Sequence, residues 1–212
     1  MKSFSKNQLQ RYPIYLKLFR CLLESGEETI SSPQIAKELG YSEEQIRKDL
    51  QVISDEPGRP KKGRDLKKLI DSLETFLGYK AETRAILIGA GHLGNALLKY
   101  PNFKGMGFSI VAGFDNDPEK IGTIIKNKEI YPVNDLAKHI PSLGAKIAII
   151  CVPASVAQEV VDEALQYGIR AIWNFAPTHI NVPSGVVIEN VNLASSLAVL
   201  NHRLNEELSK EG

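Results

Sequence analysis

Cysteine, methionine and tryptophan are scarce in this chain of 212 residues, at two, two and one. The two cysteines, Cys21 and Cys151, lie far apart, which excludes a disulfide framework and any Cys-rich metal site and points to a reducing compartment. Both sit among apolar neighbours and read as buried thiols. Long hydrophobic runs are missing too. The longest, 147–153, has the length of a strand, against roughly 20 residues for a membrane span, and the first residues contain no apolar core of a signal peptide. Nor is there an excess of one charge, since 26 Lys and Arg face 25 Asp and Glu for a net +1. With 43% hydrophobic and 24% charged residues, disorder and fibrous rods are excluded. The expectation is a cytoplasmic, membrane-free protein of about one to two domains without a metal site.

The charge balance hides an asymmetry. Residues 1–80 carry 15 basic and 12 acidic side chains, whereas 81–212 carry 11 and 13. In the first part, Tyr15, Leu18, Phe19, Leu22 and Leu23 recur at helical spacing after Pro13, with Gly26 as terminator. Ser32 before Pro33 reads as the cap of a second, short helix over Ile35, Ala36 and Leu39, which Gly40 ends. Ser42 and Gln45 form the pattern of a capping box for a third, whose apolar stripe is Ile46, Leu50 and Ile53. Two short helices joined at a glycine turn are a helix-turn-helix pattern. The third helix leaves Gln45, Arg47, Lys48 and Gln51 off its apolar stripe, and these residue types suit base edges and phosphates. A cationic turn with Arg59, Lys61, Lys62 and Arg64 follows where a winged-helix domain carries its wing. Glu43 and Glu44 suit the helix dipole but would repel phosphate. A further helix over Leu66, Leu69, Ile70, Leu73, Phe76 and Leu77 closes at Gly78.

From Arg84 the period changes. A short apolar strand runs into Gly89-Ala90-Gly91-His92-Leu93-Gly94, a helix follows, and a second apolar strand ends in Asp115, 21 positions beyond Gly94. That context turns a weak G-x-G-x-x-G match into a strong expectation of dinucleotide binding. Gly89 serves the turn, Gly91 the approach of the pyrophosphate to the helix N-terminus, and Gly94 the packing of helix on strand. Asp115 is suited to the adenosine ribose and disfavours a 2′-phosphate, so NAD(H) is the expected cofactor; Asp117 is the rival. Beyond, a hairpin around Asn127, a helix after Asn134, strands over 147–152, 171–175 and 186–191 and a helix over 155–167 continue the alternation. The loops Val152-Pro153-Ala154 and Asn174-Phe175-Ala176-Pro177 are expected at the ligand edge of the sheet. A last helix carries Leu193, Leu197, Leu200, Leu204 and Leu208 on one stripe and is expected to pack on a second subunit. The fold class is therefore α/β: a winged helix-turn-helix domain over 1–80, a doubly wound Rossmann-type parallel sheet domain over 81–191, and a C-terminal helix over 192–212.

This order of parts resembles the Rex family of redox-sensing transcriptional repressors. The matching words are Arg11-Tyr12-Pro13, Ser31-Ser32, Gln45-Ile46-Arg47-Lys48-Asp49-Leu50, the glycine turn, Phe114-Asp115-Asn116-Asp117-Pro118 with Lys120-Ile121-Gly122, Val152-Pro153-Ala154 and Asn174-Phe175-Ala176-Pro177. The resemblance implies a homodimer that exchanges its terminal helices, binds a palindromic DNA operator, and lets go when NADH replaces NAD+. It adds Ser31 and Ser32 to the DNA contacts, and Asn116 and Tyr100 to the cofactor side. The segment after the third helix departs from the family's pattern. So does Asn192, which stands where the family has an aspartate linked to an arginine and a tyrosine, here Arg11 and Tyr100; an ion pair at that position is excluded. Two other readings stay open. One is an NAD-dependent dehydrogenase with a DNA-binding appendage, for which His179 or Cys151 would have to serve catalysis. The other is a DNA-binding regulator with a weakened or altered nucleotide response.

Overall fold

The computed structural model describes residues 4–54 and 63–210. The chain divides into two compact units, Met1–Ala81 and Glu82–Gly212.

The first unit is built on α1 (Lys6–Glu24), which begins seven residues before Pro13 rather than after it. Ser5 caps it by accepting from the Gln8 amide at 3.2 Å. A proline inside a helix removes one backbone bond and costs about 3 kcal/mol. Here Pro13 lies on the exposed face, while Tyr12, Tyr15, Leu16 and Phe19 on the other face are all buried. Packing of that stripe outweighs the local penalty. The same geometry corrects the reading of Cys21, which is exposed: at 100° per residue it falls opposite the buried stripe.

Next come β1 (Thr29–Ile30), α2 (Ser32–Leu39) and α3 (Glu43–Ile53), then β2 (Arg64–Asp65) and α4 (Leu66–Phe76). The cap of α2 is Ser31, one residue earlier than expected, in a full capping box with Gln34. Ser42 caps α3, accepting from the Gln45 amide at 3.2 Å, but the reciprocal arm is missing. The Gln45 side chain goes to Asp49 instead. β1 and β2 pair antiparallel, Ile30 opposite Arg64. Gly63 makes that return possible: its φ is +73°, and a Cβ there would lie 2.6 Å from the Ile30 carbonyl oxygen. Ile30, Ile35, Ile46, Leu50, Leu66, Leu69 and Leu73 join the α1 stripe in one core. Arg59, Lys61 and Lys62, expected in the wing, lie outside the described residues.

The second unit is a seven-stranded sheet. Its strands are β3 (Thr83–Ile88), β4 (Phe108–Asp115), β5 (Ile124–Ile125), β6 (Lys128–Pro132), β7 (Ile147–Ile150), β8 (Ala171–Asn174) and β9 (Val187–Asn190). The order is β5-β6-β4-β3-β7-β8-β9. All neighbours pair parallel except β5 and β6, a hairpin whose turn residues Lys126 and Asn127 both have positive φ, as a type I′ turn requires. Period two sorts the central strand: Ile86 and Ile88 join one core and Ala85 and Leu87 the other. The helices are α5 (His92–Lys99), α6 (Leu136–Leu143), α7 (Ala154–Gln166) and α8 (Leu193–Leu208). Leu98 of α5 packs in the Ala85 and Leu87 core, whereas Leu136 and Ile140 of α6 and Ala157, Val161 and Ala164 of α7 pack in the other. This is the doubly wound arrangement. The order reverses between β3 and β7, where such sheets open a crevice at the strands' C-terminal ends. Residues 151–152, 175, 186 and 191, expected in strands, belong to the loops that flank them. No helix among the described residues is long and apolar enough to cross a membrane.

Candidate functional site

Each unit carries one surface with chemistry. In the first it is α3, held against α1 by a buried carboxylate. Asp49 is only 1% exposed; it accepts from Arg11 Nε and Nη2 at 2.6 and 2.9 Å, from the Tyr15 hydroxyl at 2.7 Å and from Gln45 Nε2 at 3.0 Å. Burial pushes its carboxyl up, but the hydrogen bonds from Arg11 and Tyr15 and the arginine's charge outweigh that and leave it below the ordinary value. Burial, with Asp49 as hydrogen-bond partner, raises the Tyr15 phenol. Of the residues expected to face DNA, Arg47, Lys48 and Gln51 are exposed and Gln45 is half-buried at the rim. Arg47 pairs with Glu43 at 2.6 Å and Lys48 with Glu44 at 2.7 Å. Exposed pairs at this spacing contribute little, so neither glutamate ties its cation strongly. Ser31 is spent on its cap, and Ser32 is the first residue of α2. Arg64 is half-buried, and burial lowers its pKa. Arg11, which the resemblance links to position 192, is engaged by Asp49. Asn192 instead caps α8, accepting from the Ser195 amide at 3.0 Å.

In the second unit the crevice between β3 and β7 is a cleft of about 530 Å³, within the range of small-molecule and cofactor sites. Ile88 leads into Gly89, whose φ is +97° and whose added Cβ would lie 2.6 Å from the Cys151 carbonyl oxygen. Gly94 is needed for a different reason: a Cβ there would sit 2.0 Å from the Gly89 carbonyl oxygen. Gly91 faces open space and caps α5 with no side-chain acceptor, which leaves the amides of the first turn available to a phosphate. Asp115 ends β4 and is 6% exposed. Its Oδ2 accepts from the Ala90 amide at 2.7 Å and its Oδ1 from the Asp117 amide at 2.9 Å. The carboxylate thus ties the glycine turn to the neighbouring strand as well as lining the cleft.

Asn116, Val152 and Pro153 join it on the walls, as expected. Lys120, Val133, Asn134, Val156, Glu159 and Glu163 line the cleft as well, although none of them was expected there. Lys120 lies 3.1 Å from Asp117 and 3.4 Å from Asp115, and Asp117 raises its ammonium pKa. Its position in the Lys120-Ile121-Gly122 word was the available signal. Glu159 and Glu163 sit one turn apart on α7, a spacing that any solvated helix face also shows.

Other expected members stand outside the cleft. His92 and Leu93 are exposed on the first turn of α5, and Ala154 opens α7 beside Pro153. Asn174 is 1% exposed and fully used by its own loop and the neighbouring strand: it donates to the Thr178 carbonyl and to Asn190 Oδ1 at the end of β9, and accepts from the Ala176 amide. Phe175 packs on Trp173 at 4.8 Å. Tyr100 lies at the opposite end of β4, in a separate groove of about 320 Å³ with Phe103, Lys104, Phe108, Lys126 and Lys128. Cys151 lines the cleft with its thiol pushed up to about 12 by burial. The cleft fits a dinucleotide's near half: open helix amides for the pyrophosphate, Asp115 and Asn116 for a ribose, and Val133, Val152 and Val156 for a flat base.

Two family profiles match the chain in tandem: "Putative DNA-binding protein N-terminus" over residues 4–51 and "CoA binding domain" over residues 80–178. The redox-sensing transcriptional repressor Rex of Bacteroides thetaiotaomicron is 40% identical over 197 residues, 93% of this chain and 89% of its own. That of Clostridium botulinum strain Eklund 17B is 36% identical over 206 residues, covering 97% and 98%. Among solved structures, the Rex-family repressor RSP in complex with NAD+ and operator DNA superposes with a TM-score of 0.91 at 33% identity, covering all of this chain and 97% of that one. Its complex with NADH gives 0.88 at the same identity, covering 99% of that chain.

Proposed function

This chain belongs to the Rex family of redox-sensing transcriptional repressors, and on that premise we propose that it binds an operator as a homodimer and leaves it when NADH binds. One observation carries the reading: a single chain joins an exposed Arg47, Lys48 and Gln51 face on a short helix to a glycine-turn cleft walled by Asp115. The relatives that share both parts along their whole length are repressors, and the solved complexes of RSP hold NAD+ with operator DNA, or NADH.

On the DNA side, α3 is the helix for the major groove. Gln45 and Gln51 suit base edges, and Arg47 and Lys48 exchange their glutamates for phosphates. Ser31, Ser32 and Arg64 belong to the flanking contacts, together with Arg59, Lys61 and Lys62. Two half-sites require two copies. All of α8 is exposed, with Leu193, Leu197, Leu200, Leu204 and Leu208 at 52–67%. Fully burying an exposed leucine yields about 1.5–3 kcal/mol, and covering what these still expose yields about half of that each; we assign that surface to the partner subunit.

On the cofactor side, Gly89 to Gly94 hold the pyrophosphate, Asp115 and Asn116 the adenosine ribose, and Val152 to Ala154 the approach to the nicotinamide; Phe175 borders that half from the neighbouring loop, whose shape Asn174 holds, while Tyr100, in the groove at the other end of β4, takes no part within its own subunit. Reduction removes the positive charge of the nicotinamide ring. A ligand shifts an equilibrium only by its differential affinity for the two states, so NADH must prefer the dimer arrangement that does not fit the operator. We assign the chain no catalysis. A thiol that titrates near 12 is not a nucleophile at neutral pH, and a repressor working on DNA in the cytoplasm needs none. The test is fluorescence anisotropy of a duplex from the gene's own upstream region, titrated with protein alone, with NAD+ and with NADH at fixed salt. Release by NADH alone is expected. Equal affinity in all three conditions overturns the redox switch and favours a regulator with an altered nucleotide response.

A further inference from the structure

The acceptor capacity of Asp49 is fully used. An ionised carboxylate offers about four lone-pair sites, and here Oδ2 receives Arg11 Nε and the Tyr15 hydroxyl while Oδ1 receives Arg11 Nη2 and Gln45 Nε2. Arg11 keeps the carboxyl ionised at neutral pH, with its pKa below the ordinary value despite burial. This fixes something a glutamine on a recognition helix ordinarily leaves open. The two ends of a side-chain amide are nearly isosteric and can exchange by a flip. A neighbour that only accepts removes the choice: the amide nitrogen of Gln45 must face Asp49. One N–H and the oxygen Oε1 are left, and neither has another partner among the described residues. A free acceptor beside a free donor is the pair that matches N6–H and N7 of adenine in the major groove.

We propose that Asp49 is a specificity-determining positioning residue: by gripping the amide nitrogen of Gln45, it makes α3 select adenine at one position of each operator half-site. The inference rests on α3 being the DNA-contacting helix. Arg47 and Lys48 stand on the outer face, paired with Glu43 and Glu44, and supply affinity that does not depend on this grip. Tyr15 shares the carboxylate without touching Gln45, which makes it the natural control.

The experiment uses the full-length dimer and a palindromic duplex that it selects from a random-sequence pool. Each adenine of the half-site is replaced in turn by 7-deazaadenine, which lacks the N7 acceptor, and affinity is read by anisotropy. Wild type should lose roughly ten-fold at one adenine, the lower part of the range for a bidentate contact. Gln45→Ala should show no penalty there. Asp49→Asn should lose the penalty as well, because a carboxamide at that position can donate to Oε1 and release the flip. Tyr15→Phe should keep it, even with a lower melting temperature. An Asp49→Asn protein that binds all duplexes more weakly but retains the wild-type penalty overturns the proposal and leaves Asp49 a purely structural residue. Should that variant not fold, the Gln45 side-chain amide of the wild-type protein decides by NMR. One Nε2 proton protected from exchange before DNA is added supports the grip, and two freely exchanging protons overturn it. Failure of the underlying reading looks different: wild type would then select no sequence from the pool.

Discussion

Replacing Asp115 by alanine removes two functions at once, and the structure separates their sizes. The Ala90 amide, whose residue is 4% exposed, loses its acceptor. An orphaned buried N–H costs about 1–3 kcal/mol. The Asp117 amide is nearer to solvent and can turn to water. Lys120 is 38% exposed and keeps Asp117 at 3.1 Å, so losing its contact with Asp115 costs about 0–1 kcal/mol. The sum, roughly 1–4 kcal/mol, lowers Tm of a unit of this size by about 4–16 °C. The proposed ribose contact is separate: a hydrogen bond to a charged acceptor is worth about 1.5–3 kcal/mol, or roughly 10- to 150-fold in NADH affinity. Calorimetric titration with NADH well below the variant's Tm reads the second term, and a thermal melt reads the first. Asp115→Asn keeps a carbonyl oxygen for Ala90 and should regain most of the Tm while remaining weak for NADH. A folded Asp115→Ala protein with wild-type NADH affinity would refute the ribose assignment, whatever its Tm.

Lys48→Ala should leave Tm and NADH binding unchanged, lower operator affinity, and reduce the slope of log affinity against log salt by about one; an unchanged slope places Lys48 off the phosphates. Leu197→Glu with Leu200→Glu should convert the dimer to monomer in sedimentation and abolish operator binding at concentrations where wild type saturates, whereas an intact dimer would remove α8 from the interface. Neutral alkylation at pH 8 should modify the exposed Cys21 and spare Cys151, whose thiol titrates near 12; mass spectrometry of digests that finds both equally labelled contradicts that burial. The pKa of Asp49 is depressed on folding, so its contribution to stability is fully present above the unfolded value of about 3.9 and is lost as pH falls through the lower folded value. Acid unfolding followed by circular dichroism should therefore show a shallower pH dependence below about 4 in Asp49→Asn than in wild type.

Much was legible where physics is local. The switch from period 3.6 to short apolar strands at Arg84, the glycine turn and the Asp115 spacing define strand, turn and helix without any distant contact, and the structure has them as β3, Gly89 to Gly94, α5 and β4. The leucine stripe of α8 was visible for the same reason, since a helix turns every residue by a fixed angle. Local rules also misled. The proline that ought to start α1 lies inside it, because the apolar stripe begins at Tyr12 and Pro13 falls on the wet side. Cys21 has apolar neighbours in the chain, yet helical rotation puts it on the face opposite the buried stripe.

The sequence by itself determined the two halves of the molecule, the order of their elements and the glycine turn, because these depend on residues within one turn or one strand of each other. Tertiary structure alone decided how the side chains are spent. Asn174 went to its own loop and Asp115 to the Ala90 amide, while Gln45 abandoned its capping box for a carboxylate four residues on. Each has more potential partners in sequence than it can bond. Which one it takes depends on what a buried acceptor or donor finds within about 3 Å once the core has closed. The pairing of Arg11 with Asp49, 38 residues apart, is of that kind: no pattern in the chain announces it, and it exists because α1 and α3 pack against one core.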